Sequence, residues 1–283
     1  MTNVGVVGAG VMGTGVAQDL AQKGHTVVLV DNNPDALDAA LGRIELECRM
    51  SRMLGGPEVD AAAVLASITV GTSLELLAET EVVIENITEN WDLKSALYAQ
   101  LDLVCKADTV FVANTSAIPI TKIAALTSRP DKVMGVHFMN PVPMKPACEF
   151  IPGYHTSEQT KETVRALLES MGKKPIPVND ASGFVSNRVL MLTVNEAAFL
   201  VHEGVADAKT VDEVFRSCFG HPMGPLETAD LIGVDTILYS VEVLYEQFND
   251  SKYRPCPLLK KMTDAGLHGR KSGQGFYSYQ SMG

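Results

Sequence analysis

No stretch of this 283-residue chain is apolar for long enough to cross a bilayer. None repeats with a fixed period or falls into low complexity, which sets aside integral-membrane and repeat architectures. Basic residues are few. Lys+Arg 23 against Asp+Glu 34 gives a formal net charge of −11, a balance that repels nucleic acid and anionic membrane surfaces but leaves room for a local basic pocket facing a phosphorylated ligand. Cysteines number only five (Cys48, Cys105, Cys148, Cys218, Cys256), odd in count and without a C-x-x-C pair, so they read as reduced, mostly buried thiols. His202 and His221 lack a partner at zinc spacing, and no metal is expected. The sequence runs straight into an apolar strand, with no room for a signal peptide, and a cytoplasmic protein is expected.

What is present begins with residues 1–31. Val4-Gly5-Val6-Val7 is a short apolar run of the kind a buried parallel strand shows, and it leads into Gly8-Ala9-Gly10-Val11-Met12-Gly13, a G-x-G-x-x-G pattern. A helix with Val16, Leu20 and Ala21 on one face follows, then a strand, Thr26 to Val30, ending at Asp31. In such a βαβ unit Gly8 permits the tight turn, Gly10 lets a pyrophosphate approach the backbone, and Gly13 lets helix and strand pack closely. Val11 and Met12 supply backbone at the helix start. A carboxylate at Asp31 accepts hydrogen bonds from a ribose 2′-hydroxyl and repels a 2′-phosphate, so NAD is expected over NADP.

Six further short apolar runs suit strands: Ser67 to Val70, Glu81 to Glu85, Thr109 to Asn114, Lys132 to Phe138, Ala147 to Ile151 and Pro175 to Val178. Their alternation with helices predicts a doubly wound (Rossmann), mostly parallel α/β sheet. Between the second and third strands, Asn33 to Ala66 reads as a helical hairpin insertion, its second helix around Glu58 to Ala66; Arg43, Arg49 and Arg52 on the first are candidates to meet a phosphate, or form a solvated face. Past Gly183 the composition changes to densely apolar helix from Phe184 to Val201 and four more helical stretches. The expected domains are therefore 1–182, binding the cofactor, and 183–283, all-helical, with the first of its helices covered on most sides, in part by another chain.

Ligands collect beyond the C-terminal ends of parallel strands, which directs attention to Glu85 to Asn90, Asn114-Thr115-Ser116 and His137 to Asn140. Glu149 follows His137 by twelve residues, on the next extended run. A strand, turn and strand would bring imidazole and carboxylate face to face, the carboxylate fixing the tautomer and the other nitrogen taking a proton as hydride leaves carbon. Each residue alone also has an ordinary structural reading. Ser116 and Asn187 suit donors to a substrate oxygen, although Ser is common before a helix and Asn187 is an ordinary capping choice.

Taken together, Gly8-x-Gly10-x-Met12-Gly13-x-Gly15, Asn114-Thr115-Ser116, His137-Phe138-Met139-Asn140-Pro141-Val142-Pro143, Glu149, Gly183-Phe184-Val185-Ser186-Asn187-Arg188, Pro222-Met223-Gly224-Pro225 and Gly273-Gln274-Gly275-Phe276-Tyr277 resemble the 3-hydroxyacyl-CoA dehydrogenase family, especially its short bacterial 3-hydroxybutyryl-CoA dehydrogenases. The resemblance spans essentially the whole chain. It implies His137 as general base, Glu149 as its partner, and Ser116 with Asn187 on the C3 oxygen of a (3S)-3-hydroxyacyl thioester. It also implies that Glu89, Lys94 and Lys271 help hold NAD, that Asn114 and Asn140 line the site, and that the helical domain forms a homodimer. The family's insertion commonly carries lysines for the CoA phosphates, whereas here only Arg49 and Arg52 are basic between Arg49 and Ala66. An acyl-carrier-protein thioester, as in polyketide extender-unit synthesis, therefore stands beside CoA. A non-catalytic NAD-binding relative and a sugar-acid dehydrogenase are the remaining alternatives.

Overall fold

The computed structural model describes residues 2–51, 53 and 58–279. The chain divides into two compact units, residues 1–181 and 182–283. The first is built on β1 (Asn3–Val7), β2 (Thr26–Val30), β3 (Ile68–Gly71), β4 (Val82–Glu85), β5 (Val110–Ala113), β6 (Val133–His137), β7 (Ala147–Pro152) and β8 (Lys174–Pro177). They form one sheet in the order β3-β2-β1-β4-β5-β6-β7-β8. All neighbours run parallel except β6 and β7, which are antiparallel. The chain winds outward from β1 in one direction and from β4 in the other. A crevice therefore opens beyond the C-terminal ends of these two strands.

Val4, Val6, Leu29, Val82, Ile84, Val112 and Met134 are essentially fully buried, as expected of strands covered on both faces. Helix α1 (Val11–Gln22) closes over them with Val16, Ala17 and Leu20. Side-chain caps set the other starts. Asn33 accepts from Asp35 N to begin α2 (Pro34–Met50), and Asn90 accepts from Leu93 N to begin α4 (Trp91–Val104). Helix α3 (Ala61–Ala66) starts later than the sequence pattern suggests, because Asp60 caps it by accepting from Ala62 N and Ala63 N. The expected insertion is thus α2 and α3; Arg52 lies outside the described residues. Helices α5 (Ile120–Ala124) and α6 (Glu158–Ser170) complete the unit.

The second unit packs α7 (Ser186–His202), α8 (Ala208–Phe219), α9 (Pro225–Ile232), α10 (Val234–Phe248) and α11 (Pro257–Asp264) around Val194, Leu226, Ile237, Val241 and Leu259. Along α7 only one stripe, including Met191, Val194 and Ala198, is buried, while Val189 is 61 % exposed. Two buried carboxylates hold the segment after α11. Asp230 accepts from Phe276 N and Tyr277 N, both at 2.9 Å. Asp212 accepts from Leu226 N, Glu227 N and the Tyr277 hydroxyl, the first two at the start of α9. Among the described residues no helix is long and apolar enough to cross a membrane.

Because Asp212 is fully buried and serves three donors, Asp212→Ala is expected to lower unfolding stability by about 3 kcal/mol. Urea denaturation measures it; a loss below about 0.5 kcal/mol would show that water replaces the carboxylate.

Candidate active site

The crevice at the ends of β1 and β4 is a cleft of about 620 Å³ lined by Gly8, Gly10, Asp31, Asn32, Leu74, Asn86, Leu93 and Leu97, among others. The three glycines of the loop differ in what a side chain would meet. A Cβ on Gly13 would lie 1.8 Å from Gly8 O, and one on Gly8, at φ +97°, 2.8 Å from Asn86 O; at Gly10 nothing lies within 4 Å. Gly8 and Gly13 are thus required by the protein's own packing. Gly10 leaves an open cradle, the place where a pyrophosphate meets backbone. Gly10 caps α1 without a side-chain acceptor and the first turn carries no acid, so the helix's leading N–H groups are available to an anion. Val11 is exposed at that start, and Met12 is half-buried.

Asp31 is held from both sides, Oδ2 accepting from Ala9 N at 2.7 Å and Oδ1 from Asn33 N at 2.9 Å. The carboxylate therefore braces the glycine loop and still faces the cleft. Among the described residues no basic side chain lines the cleft. These residues fit NAD: apolar Leu74, Leu93 and Leu97 would flank its flat groups, and no cation among the described lining residues would meet a 2′-phosphate.

At the end of β6, His137 stands directly opposite Glu149 of β7 in the antiparallel register. Its Nδ1 is 2.7 Å from Glu149 Oε2, and its Nε2 is 3.1 Å from Ser116 Oγ. Both members of the pair are buried, His137 at 7 % and Glu149 at 5 %. The carboxylate assigns the proton to Nδ1, which leaves Nε2 as acceptor toward Ser116. The neighbouring Cys148 takes no part, since burial pushes its thiol up to about 12 and it stays protonated.

Glu89 shapes the Ser116 turn. Its Oε1 accepts from Ser116 N and Ala117 N, both at 3.0 Å, and from the Thr115 hydroxyl. Lys94 is fully buried, its Nζ 2.7 and 2.8 Å from the two oxygens of Glu85 and 3.5 Å from Glu89 Oε2. Burial raises the Glu85 carboxyl above its ordinary value and Lys94 pulls against it. Asn114 bridges strand ends, donating to Asn86 Oδ1 and accepting from Phe138 N. Asn140 is exposed, before a cis bond to Pro141. Exposed Arg49 pairs with Glu45 at 2.6 Å.

In the second unit Asn187 is half-buried in the first turn of α7; it does not cap that helix, whose N-cap is Val185. Lys271 pairs with Asp235 at 2.6 Å. Glu85 and Asn86 lie in the strand end to which the sequence directs attention, but their roles, the ion pair with Lys94 and the bridge to Asn114, are not read from it. An acid closing a fully apolar strand, with a lysine nine residues on, was their available signal.

The family model described as 3-hydroxyacyl-CoA dehydrogenase, NAD binding domain, matches residues 3–181, and that described as 3-hydroxyacyl-CoA dehydrogenase, C-terminal domain, matches residues 183–279. A probable 3-hydroxybutyryl-CoA dehydrogenase of Bacillus subtilis is 47 % identical over 276 residues, covering 97 % of this chain and 96 % of that one. The 3-hydroxybutyryl-CoA dehydrogenase of Clostridioides difficile is 40 % identical, covering 97 % and 98 %. Among solved structures, an (S)-3-hydroxybutyryl-CoA dehydrogenase from Ralstonia eutropha aligns with a TM-score of 0.93 at 43 % identity, covering 99 % of this chain and all of that one.

The glycine geometry separates binding from folding. Gly10→Ala is expected to leave stability within about 1 kcal/mol and to weaken NAD binding about tenfold, or about 1.4 kcal/mol. Gly13→Ala should lose about 1–3 kcal/mol of stability outright. Titration with NAD and thermal melts check both; unchanged NAD affinity in Gly10→Ala would place the pyrophosphate elsewhere.

Proposed function

The chain belongs to the 3-hydroxyacyl-CoA dehydrogenase family, and from that premise we propose that it oxidises a (3S)-3-hydroxyacyl-CoA, such as 3-hydroxybutyryl-CoA, reversibly to the 3-oxoacyl-CoA with NAD. The observation that carries the reading is the buried His137–Glu149 pair at the ligand-side rim of the sheet, with the Ser116 hydroxyl on the second ring nitrogen. NAD, when bound, takes up the hydride released from C3. His137 Nε2 accepts the proton of the 3-hydroxyl, and Glu149 stabilises the imidazolium that results. Ser116 donates to the C3 oxygen as it gains negative character. Asn187 is assigned as a second donor, and Lys271 as a cofactor contact, on the family resemblance alone. Glu89 and Lys94 serve the cofactor end by fixing the turn that carries Ser116.

Exposed Val189, Phe219, Leu231 and Tyr245 leave apolar surface on the helical unit, which supports a homodimer formed through it. Arg49 is already engaged by Glu45, and this favours a second reading in which the thioester carrier is an acyl-carrier protein.

His137→Gln is expected to lower kcat for 3-hydroxybutyryl-CoA oxidation by about 10²–10⁴-fold while NAD binding persists. Parent-level activity in that variant would remove the mechanism. Assayed side by side, the CoA thioester should be used better than its pantetheine counterpart; the reverse order would move the substrate to a carrier protein.

A further inference from the structure

Within the first unit a buried ion pair lies apart from the catalytic pair. Lys173, between α6 and β8, is 4 % exposed, and its Nζ is 2.7 Å from Oδ2 of Asp19 on α1, itself 1 % exposed. The contact is a close ion pair without hydrogen-bond alignment. The ammonium's hydrogen bonds go elsewhere: it donates to Val142 O at 2.7 Å and Lys145 O at 3.0 Å. Those carbonyls bracket the short turn Val142–Met144, which connects β6 to β7. The same turn packs on α1, where a Cβ added to Gly15 would lie 3.2 Å from Val142 Cβ. Next to it, Lys174 N donates to Pro146 O at 2.8 Å, where β8 begins its pairing with β7.

One ammonium thus gathers the helix that starts at the glycine loop and both ends of the turn joining the His137 strand to the Glu149 strand. Apolar residues of similar volume fill such a place without the cost of desolvating two charges. What the ammonium adds is direction, since it fixes three oxygens about one point. We propose that Lys173, held by Asp19, is a positioning residue for the reaction: it sets the β6–β7 turn against α1 and so keeps His137 and Glu149 aligned with the cofactor end of the sheet. The inference rests on the catalytic reading of that pair given above.

The test compares the parent with Asp19→Leu/Lys173→Met, which removes both charges and leaves no uncompensated one. Melting temperature, kcat, KM for NAD and hydrogen exchange at the Met144 and Lys145 amides are read on each. The double variant is expected to melt close to the parent, with KM for NAD within about threefold, faster exchange at both amides and kcat lower by about tenfold or more, since small misplacements of reacting groups cost up to about 10²-fold. A kcat within twofold of the parent overturns the inference, whether or not the amides exchange faster, because the pair would then be structural only.

If the double variant does not fold, the nearly isosteric neutral pair Asp19→Asn/Lys173→Gln takes its place. Exchange and kcat that both move support the positioning role; a kcat within twofold of the parent overturns it. His137→Gln is assayed in parallel. Full activity there would remove the catalytic reading itself, whereas an inactive His137→Gln beside a fully active double variant would remove only the role of Lys173.

Discussion

The antiparallel pairing of β7 on β6 is the constraint on which the rest of the site depends. Every other neighbouring pair in the sheet runs parallel, and parallel neighbours need a long crossover between them. Here the chain reverses within a short turn and sets His137 directly opposite Glu149. Residues so paired project from the same face of the sheet, close enough for an imidazole and a carboxylate to share a hydrogen bond. A slip of one residue would turn one side chain to the other face and abolish the pair. Register sets the carboxylate against the imidazole, and the ring orientation, with Nδ1 on Glu149, leaves Nε2 to act as a base.

Around that pair, buried and half-buried charges hold pieces of backbone. Glu89 gathers the N–H groups of Ser116 and Ala117, Lys94 joins it to Glu85, Asp31 braces Ala9, and Lys173 spans the turn after His137. Ionic groups out of water are costly unless every one is partnered, so such sets fix geometry more than they add stability. The outcome is a rim of short loops whose positions are set by hydrogen bonds to carboxylates and ammonium groups. The glycine loop obeys the complementary rule. Gly8 and Gly13 are demanded by neighbouring backbone, and Gly10 by the open cradle alone.

Much of this was legible in the sequence because it rests on local pattern. Short apolar runs gave all eight strands within a residue or two, and the twelve-residue interval from His137 to Glu149 fits a strand, a turn and a strand. Membership in the 3-hydroxyacyl-CoA dehydrogenase family, with its NAD-binding domain, was legible as ordered motifs. The second insertion helix, expected from around Glu58, begins at Ala61 because Asp60 caps it. Asn187 reads as a cap from its place near a helix start, yet the chain enters α7 through Phe184 at φ 47° and Val185, so Asn187 is already helical. The burial of Lys94 and the pairing of Lys173 with Asp19 were beyond local reasoning. Both depend on partners brought together by the sheet, in the second case from opposite ends of the first unit.

The most direct measurement of the central claim is the tautomer of His137, read by ¹⁵N NMR of the histidine rings, with the His137 signals assigned by comparison with a variant lacking that residue. In the neutral ring the proton is expected on Nδ1, facing Glu149, with Nε2 unprotonated and ready to accept. A neutral ring protonated on Nε2 would contradict it, because that nitrogen would then have no lone pair to offer a substrate hydroxyl.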